Sequence, residues 1–227
     1  MIKLENVVLA SPEQMNFVIE GMRNPMNSWG KSDSHDCKQN SSFCMECECN
    51  KIGYRLGEND ISLMQRLSNA GTEHRKYMRM MPVYVRITAP LYWWKEFDTY
   101  KVGTVANSCS TMHKIAEKGF TLGDFSIEHL NDDRSAELSN VEWLEHLIHH
   151  LNRDRLRFIE TKDKQYWWQM IQLLPSLYNQ TRNVMLNYEV LANIYRQRKN
   201  HKLDEWREVC KWIESLPYSE LITGEED

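Results

Sequence analysis

Three groups of residues combine types and spacings that chemistry uses. The first is the stretch from Ala89 to His113. Tyr92, Trp93 and Trp94 precede a polar run from Lys95 to Lys101, and small residues follow, ending in Asn107-Ser108-Cys109-Ser110. Rings of this kind anchor a segment in a core, and small hydroxyl residues let a backbone approach a ligand closely. Asn107 and Ser110 can donate hydrogen bonds to a phosphate; the alternative is an ordinary Asn/Ser turn. Cys109 is either a reactive thiol or a small buried hydrophobe. The second group is Cys37, Cys44, Cys47 and Cys49, with His35 nearby. Thiolates so spaced can bind zinc tetrahedrally. A second Cys-x2-Cys or His pair is missing, so a plain thiol-bearing loop is the alternative and no metal is expected. The third group is His146, His149 and His150 with Glu142 and Glu145. His146 and His150 stand at i, i+4, as metal-ligand pairs do, but the pattern is not His-Glu-x-x-His and a polar helix face accounts for it.

The elements that must position these residues can be traced along the chain. Ile2 to Leu9 predicts a strand. Ser11-Pro12-Glu13-Gln14 predicts a capped helix start, with Met15, Val18 and Met22 on one face behind it. From about 24 to 57 periodicity vanishes, leaving an irregular, cysteine-rich loop. Asp60 is expected to cap a helix through Ile61, Met64 and Leu67 that stops at Gly71. Pro82 to Thr88 alternates as a half-buried strand, ended by Ala89-Pro90, and Leu91 to Asp98 reads as helical. A short helix is expected over Met112 to Gly119, and a polar connection over Asp124 to Ser135. Ser139 and Glu142 form a second capping box, opening a helix with Val141, Leu144, Leu147, Ile148 and Leu151 inward. Helices are then expected over Asp163–Leu174, Leu177–Arg198 and Leu203–Leu216, the first and last stopped by Pro175 and Pro217, with a frayed tail from Thr223. With no internal repeat and no clean linker, the expectation is one α+β domain over residues 1–227, an antiparallel sheet packed with long helices.

The totals bound the function. A net charge of −4 over 227 residues argues against general nucleic-acid binding. No run of about 18 apolar residues predicts a membrane span. The N-terminal stretch is too short and too charged for a signal peptide. Six cysteines in a chain this long fit reduced thiols in a cytoplasm.

Taken together, these segments resemble the flavin-dependent thymidylate synthases. That family carries, after a strand, an Ala-Pro step and an aromatic-rich helix, the run Arg-His-Arg, two residues, Ser, one residue, Asn-Glu, one residue, Ser, one residue, Arg-Tyr. Here the strand is Val83 to Thr88, the step Ala89-Pro90, and the helix carries Trp93 and Trp94. Downstream, Leu173-Leu174-Pro175 resembles the family's Val-Leu-Pro. Asn187, Leu191 and Arg198 resemble its Asn…Leu…Arg helix, and Trp206-Arg207-Glu208 resembles the segment after it. The resemblance runs from Asp60 to about Ile213.

The departures fall on the chemical half. Thr99-Tyr100-Lys101 stands for Arg-His-Arg, Thr104 for the first Ser, and Ser108 for the Glu; Ser110 keeps the second Ser, and Met112-His113 replaces Arg-Tyr. Glu189 and Ile171 stand where the family has arginines, so the usual bidentate phosphate contacts are lost, and Glu189 would repel a phosphate. Other cations, Lys95, Lys101, Arg182 or Lys199, would have to replace them. The resemblance implies FAD held by Tyr100, Lys101, Thr104 and Asn107. It implies a pyrimidine deoxynucleotide held by Glu96, Ser108, Ser110 and Arg198, with Arg198 polarising the base and Lys101 assisting. It also implies methylenetetrahydrofolate as carbon donor in the reductive methylation of dUMP to dTMP, and a homotetramer for which Trp167 and Trp168 could supply interface, core packing accounting for them equally well. For Arg198 the alternative is a solvated or salt-bridged helix-end cation; for His74, near the family's Gly-His region, it is a surface histidine. Three functions follow: a divergent synthase or an enzyme of another pyrimidine nucleotide, a member that kept the fold and only binds nucleotides or partners, and a metal-binding module on the cysteine loop.

Overall fold

The structure is a computed structural model that describes residues 2–37, 53–133 and 137–224. Strand β1 (Lys3–Leu9) leads into α1 (Pro12–Arg23). The expected capping box is formed: Ser11 Oγ accepts from the Gln14 amide at 3.3 Å and Gln14 Oε1 accepts from the Ser11 amide at 2.8 Å. The irregular segment holds 3-10 turns at Asn24–Met26 and Trp29–Lys31. Two short strands, β2 (His35–Asp36) and β3 (Tyr54–Arg55), pair antiparallel there, His35 opposite Arg55.

Helix α2 (Glu58–Asn69) corrects one expectation, because Asp60 does not cap it. Asp33 does, accepting from the amides of Asn59 at 3.0 Å and Asp60 at 3.2 Å. The approach requires glycine at 57, where a Cβ would lie 2.1 Å from Asp33 Cγ. Asp60 is instead fully buried, and its Oδ1 accepts from Arg23 Nε at 2.6 Å. A buried cation one helix away outbids the local role, which no local pattern signals.

After α3 (Lys76–Arg79) comes β4 (Pro82–Pro90), whose alternation buries Val83, Val85, Ile87 and Ala89 and continues through the Ala-Pro step. Helix α4 (Leu91–Phe97) buries Trp93, Trp94 and Phe97, with ring centroids 4.9–5.3 Å apart. The small-residue run forms strand β5 (Val105–Ser108) rather than a turn, and the short helix α5 (Thr111–Lys114) ends earlier than its sequence suggests. Helix α6 (Asn140–Thr161) opens on the Ser139–Glu142 box and packs on α7 (Lys164–Leu173), capped by Asp163.

The region expected as one helix from Leu177 to Arg198 divides into strand β6 (Asn179–Asn187) and helix α8 (Tyr188–Arg198). Asn179, Thr181 and Asn183 are weak helix formers, and Asn187 Oδ1 accepts from the Val190 amide at 3.0 Å, so the helix starts at Asn187. Helix α9 (Asp204–Glu214) follows, and the chain past Pro217 forms α10 (Glu220–Thr223) before the described residues end.

The main sheet has the order β1-β4-β6-β5, and the architecture is the α+β one expected, an antiparallel sheet with helices. By its internal contacts the chain divides into two compact units. The first gathers Ile87–Thr99 and Asn107–Asn183 with Lys3; its core is Ile115, Phe120, Phe125, Leu144, Ile148, Leu151 and Met170. The second gathers Leu4–Arg86, Tyr100–Ala106 and the chain from Val184; it buries Met15, Met64, Met78, Tyr188 and Trp206 completely or nearly so.

Candidate functional site

The first unit carries a pocket of about 640 Å3. One wall is Cys109-Ser110-Thr111, another is Tyr178 to Thr181, and Lys3, Lys118, Asp124 and Glu128 bring charge. The wall is held by hydrogen bonds. The Cys109 amide donates to the Thr181 carbonyl at 2.9 Å. Gln180 Nε2 donates to the Cys109 carbonyl at 3.1 Å and to Thr111 Oγ1 at 2.9 Å. Ser110 Oγ caps α5, accepting from the His113 amide at 3.1 Å.

Gln180 is itself held from behind. Its Oε1 accepts from Arg182 Nε at 3.0 Å, and Arg182 Nη1 donates to Asp98 Oδ1 at 2.6 Å. The guanidinium lies 4.1 Å from the Trp94 ring centroid, and Trp94 Nε1 donates to the Gln180 carbonyl at 2.9 Å. The aromatic anchor of α4 is thereby tied through Arg182 and Gln180 to the hydroxyl segment. A cation over an indole face with a carboxylate partner is a rigid arrangement.

Electrostatically the pocket is balanced. Lys118 Nζ donates to Asp124 Oδ1 at 2.5 Å, and that bond raises the lysine's pKa. Burial penalises the Asp124 charge, but Lys118 and the Thr121 amide and hydroxyl outweigh it and hold the carboxyl below its ordinary range. Both groups are charged at neutral pH.

The second unit holds Arg198. Its Nε donates to the Tyr100 hydroxyl at 2.9 Å, and its guanidinium lies 4.7 Å from the Trp206 ring and 5.7 Å from the Tyr100 ring. The Tyr100 hydroxyl in turn donates to Gln197 Oε1 at 2.9 Å. Beyond Tyr100, Lys101 is exposed, Gly103 turns the chain at φ +76, and Thr104 Oγ1 is buried with no hydrogen-bond partner among the described residues. Glu189, expected to repel a phosphate, is instead matched by Arg79, whose Nε and Nη2 both donate to it.

Of the residues singled out in the sequence, Tyr100 and Arg198 are brought together, and Lys101 and Thr104 share their unit. Glu96, Asn107, Ser108 and Ser110 belong to the other unit; Asn107 and Ser108 are exposed on β5. Gln180 and Asp98 were not legible, because the expected helix over 177–198 hid the strand that aims Gln180. Ile171 packs against the first unit's core, and the exposed Met112 offers its carbonyl to Trp167 Nε1 at 2.9 Å. Trp168 is exposed and Trp167 half-buried, while His74 sits on the surface beside Glu73. His146, His149 and His150 are exposed on α6, and among the described residues no cluster of His, Cys, Asp and Glu is arranged to hold a metal. Cys37 is half-buried, whereas Cys44, Cys47 and Cys49 lie outside the described residues. No helix among the described residues is long and apolar enough to cross a membrane.

No family model matches the chain, and no curated protein matches it by sequence. Solved structures do. Two crystal structures of the flavin-dependent thymidylate synthase ThyX from Helicobacter pylori with FAD and dUMP are each 16% identical, with TM-scores of 0.63 and 0.65. Both matches cover 98% of this chain, and 97% and 98% of theirs. A UMP/dUMP methylase, PolB from Streptomyces cacaoi, bound with 5-Br dUMP, is 11% identical with a TM-score of 0.57, over 95% of this chain and 89% of its own. The chain has the fold of the flavin-dependent thymidylate synthases.

Proposed function

We propose that the chain binds a pyrimidine deoxynucleotide and a flavin and acts as a divergent flavin-dependent methylase of that nucleotide. The observation that carries this is the pocket walled by Cys109–Thr111 and braced by Gln180. It lies on the segment that resembles the synthases' serine-bearing run. Its volume of about 640 Å3 falls within the range of small-molecule sites. The shared fold with proteins crystallised with FAD and dUMP supports it.

In this proposal Ser108, Ser110 and Thr111 supply neutral donors to the nucleotide, and Gln180 holds the Cys109–Thr111 segment in place through its own two donors. Glu96 is a further nucleotide contact, and Lys3 and Lys118 stand in place of arginines. Arg198, held by the Tyr100 hydroxyl and lying against the Trp206 ring, is the cation proposed to polarise the pyrimidine, with Lys101 beside it in role. The donor set fits a flavin at Thr104, whose buried hydroxyl has no partner among the described residues; Tyr100, Lys101 and Asn107 flank it in sequence. A bound flavin would supply reducing equivalents, and methylenetetrahydrofolate the carbon. The chain's own residues bind, orient and polarise. A homotetramer in the cytoplasm is part of the same proposal.

A specific observation favours a second function, nucleotide binding without turnover. None of the described residues lining the pocket is an arginine, and its two lysines are accompanied by Asp124 and Glu128. One experiment tests both. An absorbance spectrum of the purified protein is expected to show flavin bands that dUMP perturbs. A colourless protein with no thermal shift on FAD or deoxynucleotides would sink both functions. Flavin and dUMP bound without methylation of dUMP would leave the second alone.

A further inference from the structure

The second unit contains a cavity of its own, of about 360 Å3, formed where α1 ends and α2 passes. Its polar lining is Arg23, Ser28, Lys31, Asn59 and Arg66. Arg23 is 3% exposed. Its Nε is used by Asp60, and its Nη1 reaches the Ser28 carbonyl and hydroxyl, both at 3.3 Å. Its Nη2 is buried with no acceptor among the described residues. A buried guanidinium N–H left unpaired is costly, so a missing acceptor is implied.

The neighbouring carboxylates cannot provide it. Asp60 Oδ2 already accepts from the hydroxyls of Ser32 at 2.8 Å and Ser34 at 2.6 Å, and from the amides of Asp33 and Ser34, both at 3.1 Å. Asp33 is committed to the first turn of α2. The single negative charge of Asp60 therefore balances Arg23 and nothing more. Lys31 and Arg66 are exposed and form no ion pair among the described residues. Asn59 and Arg66 lie on one face of α2, at i and i+7. Met26 and Leu63 complete the lining with apolar surface.

We propose that this cavity is a binding site for a phosphate monoester, the dianion set against Arg23, Lys31 and Arg66 and the apolar body against Met26 and Leu63. Arginine pairs with phosphate through charge-assisted hydrogen bonds, and Arg23 lines this cavity with its side chain fixed by Asp60 and Ser28.

The test uses the full chain and inorganic phosphate as the probe. Binding is followed by calorimetry and by the melting temperature, against chloride at equal ionic strength. The wild type should bind phosphate and melt higher in it. K31Q/R66Q, which changes two exposed side chains, should bind phosphate about tenfold more weakly or worse, with its melting temperature in chloride unchanged. Two results overturn the proposal: a wild type with no phosphate-specific shift, or a double variant that keeps the wild-type affinity.

Discussion

Arg198 Nε and the Tyr100 hydroxyl lie 2.9 Å apart, although they are 98 positions apart in the chain, and the Trp206 ring centroid lies 4.7 Å from the same guanidinium. A cation at the end of a helix is thereby converted into a fixed, half-buried group. Lysine cannot reproduce that planar contact. Tyr100→Phe keeps the ring and removes the hydroxyl shared by Arg198 and Gln197. Urea unfolding should show a loss of about 1 kcal/mol. Arg198→Lys should leave the fold intact and remove nucleotide-dependent turnover. Turnover unchanged in that variant would take Arg198 out of the reaction.

Gln180 is the brace of the pocket proposed for the nucleotide, and its two donors both point to the Cys109–Thr111 wall. Gln180→Glu keeps the acceptor that Arg182 needs but replaces the donors with an anion facing the Cys109 carbonyl. The dUMP dissociation constant, read by calorimetry, should rise at least about tenfold, the cost of roughly one buried hydrogen bond. An equal constant in variant and wild type would remove this pocket from nucleotide binding.

What the sequence made legible is what is encoded locally. The Ser11–Gln14 and Ser139–Glu142 boxes, the alternation of β4 and the aromatic face of α4 each depend on residues a few positions apart, and each is present. The misses depend on distant partners. Asp60 has the residue type and position of a cap, yet Arg23, 37 positions away, claims its carboxylate. Asn179 to Asn187 has helical neighbours, yet it joins the sheet between β4 and β5. Glu189 read alone is a repulsive charge; Arg79, 110 positions away, cancels it. Half of the candidate site was visible as the run from Tyr100 to Ser110. Of the residues that orient it, Arg182 stood out only as a spare cation and Trp206 only as part of the resemblance, while Gln180 carried no signal beyond its type.

The Arg23–Asp60 pair predicts an acid response. Burial opposes the Asp60 charge, but bonds from Ser34, Ser32, Arg23 and the Asp33 amide outweigh it and hold its pKa below the ordinary 3.8. A folded pKa below the unfolded one stabilises the protein above the unfolded value, and that contribution is lost as pH falls through the folded value. Melting temperature should therefore fall steeply below about pH 4. Asp60→Asn removes the charge opposite a buried guanidinium and should cost about 3 kcal/mol at pH 7. The gap between variant and wild type should narrow as pH falls below about 4. A gap constant from pH 7 to pH 2 would show that the ion pair contributes nothing.

Gly103 and Asn187 predict a coupling between the turn after Lys101 and the start of α8. Gly103 sits at φ +76, and a Cβ there would stand 2.8 Å from Asn187 Nδ2 and 3.1 Å from Val190 Cγ2. Asn187 is the residue whose Oδ1 caps α8 at the Val190 amide. Gly103→Ala thus strains the backbone and pushes on a cap together, and should cost roughly 2 kcal/mol. Asn187→Ala alone should cost about 1 kcal/mol through the lost cap. Because alanine at 187 also removes the nearer of the two atoms that a methyl at 103 would meet, the double variant should be more stable than the sum of the two losses, by at least about 0.5 kcal/mol. Denaturant unfolding of the four proteins measures that difference. Strict additivity would mean that the strain at 103 is the backbone's alone and that the turn does not press on the helix.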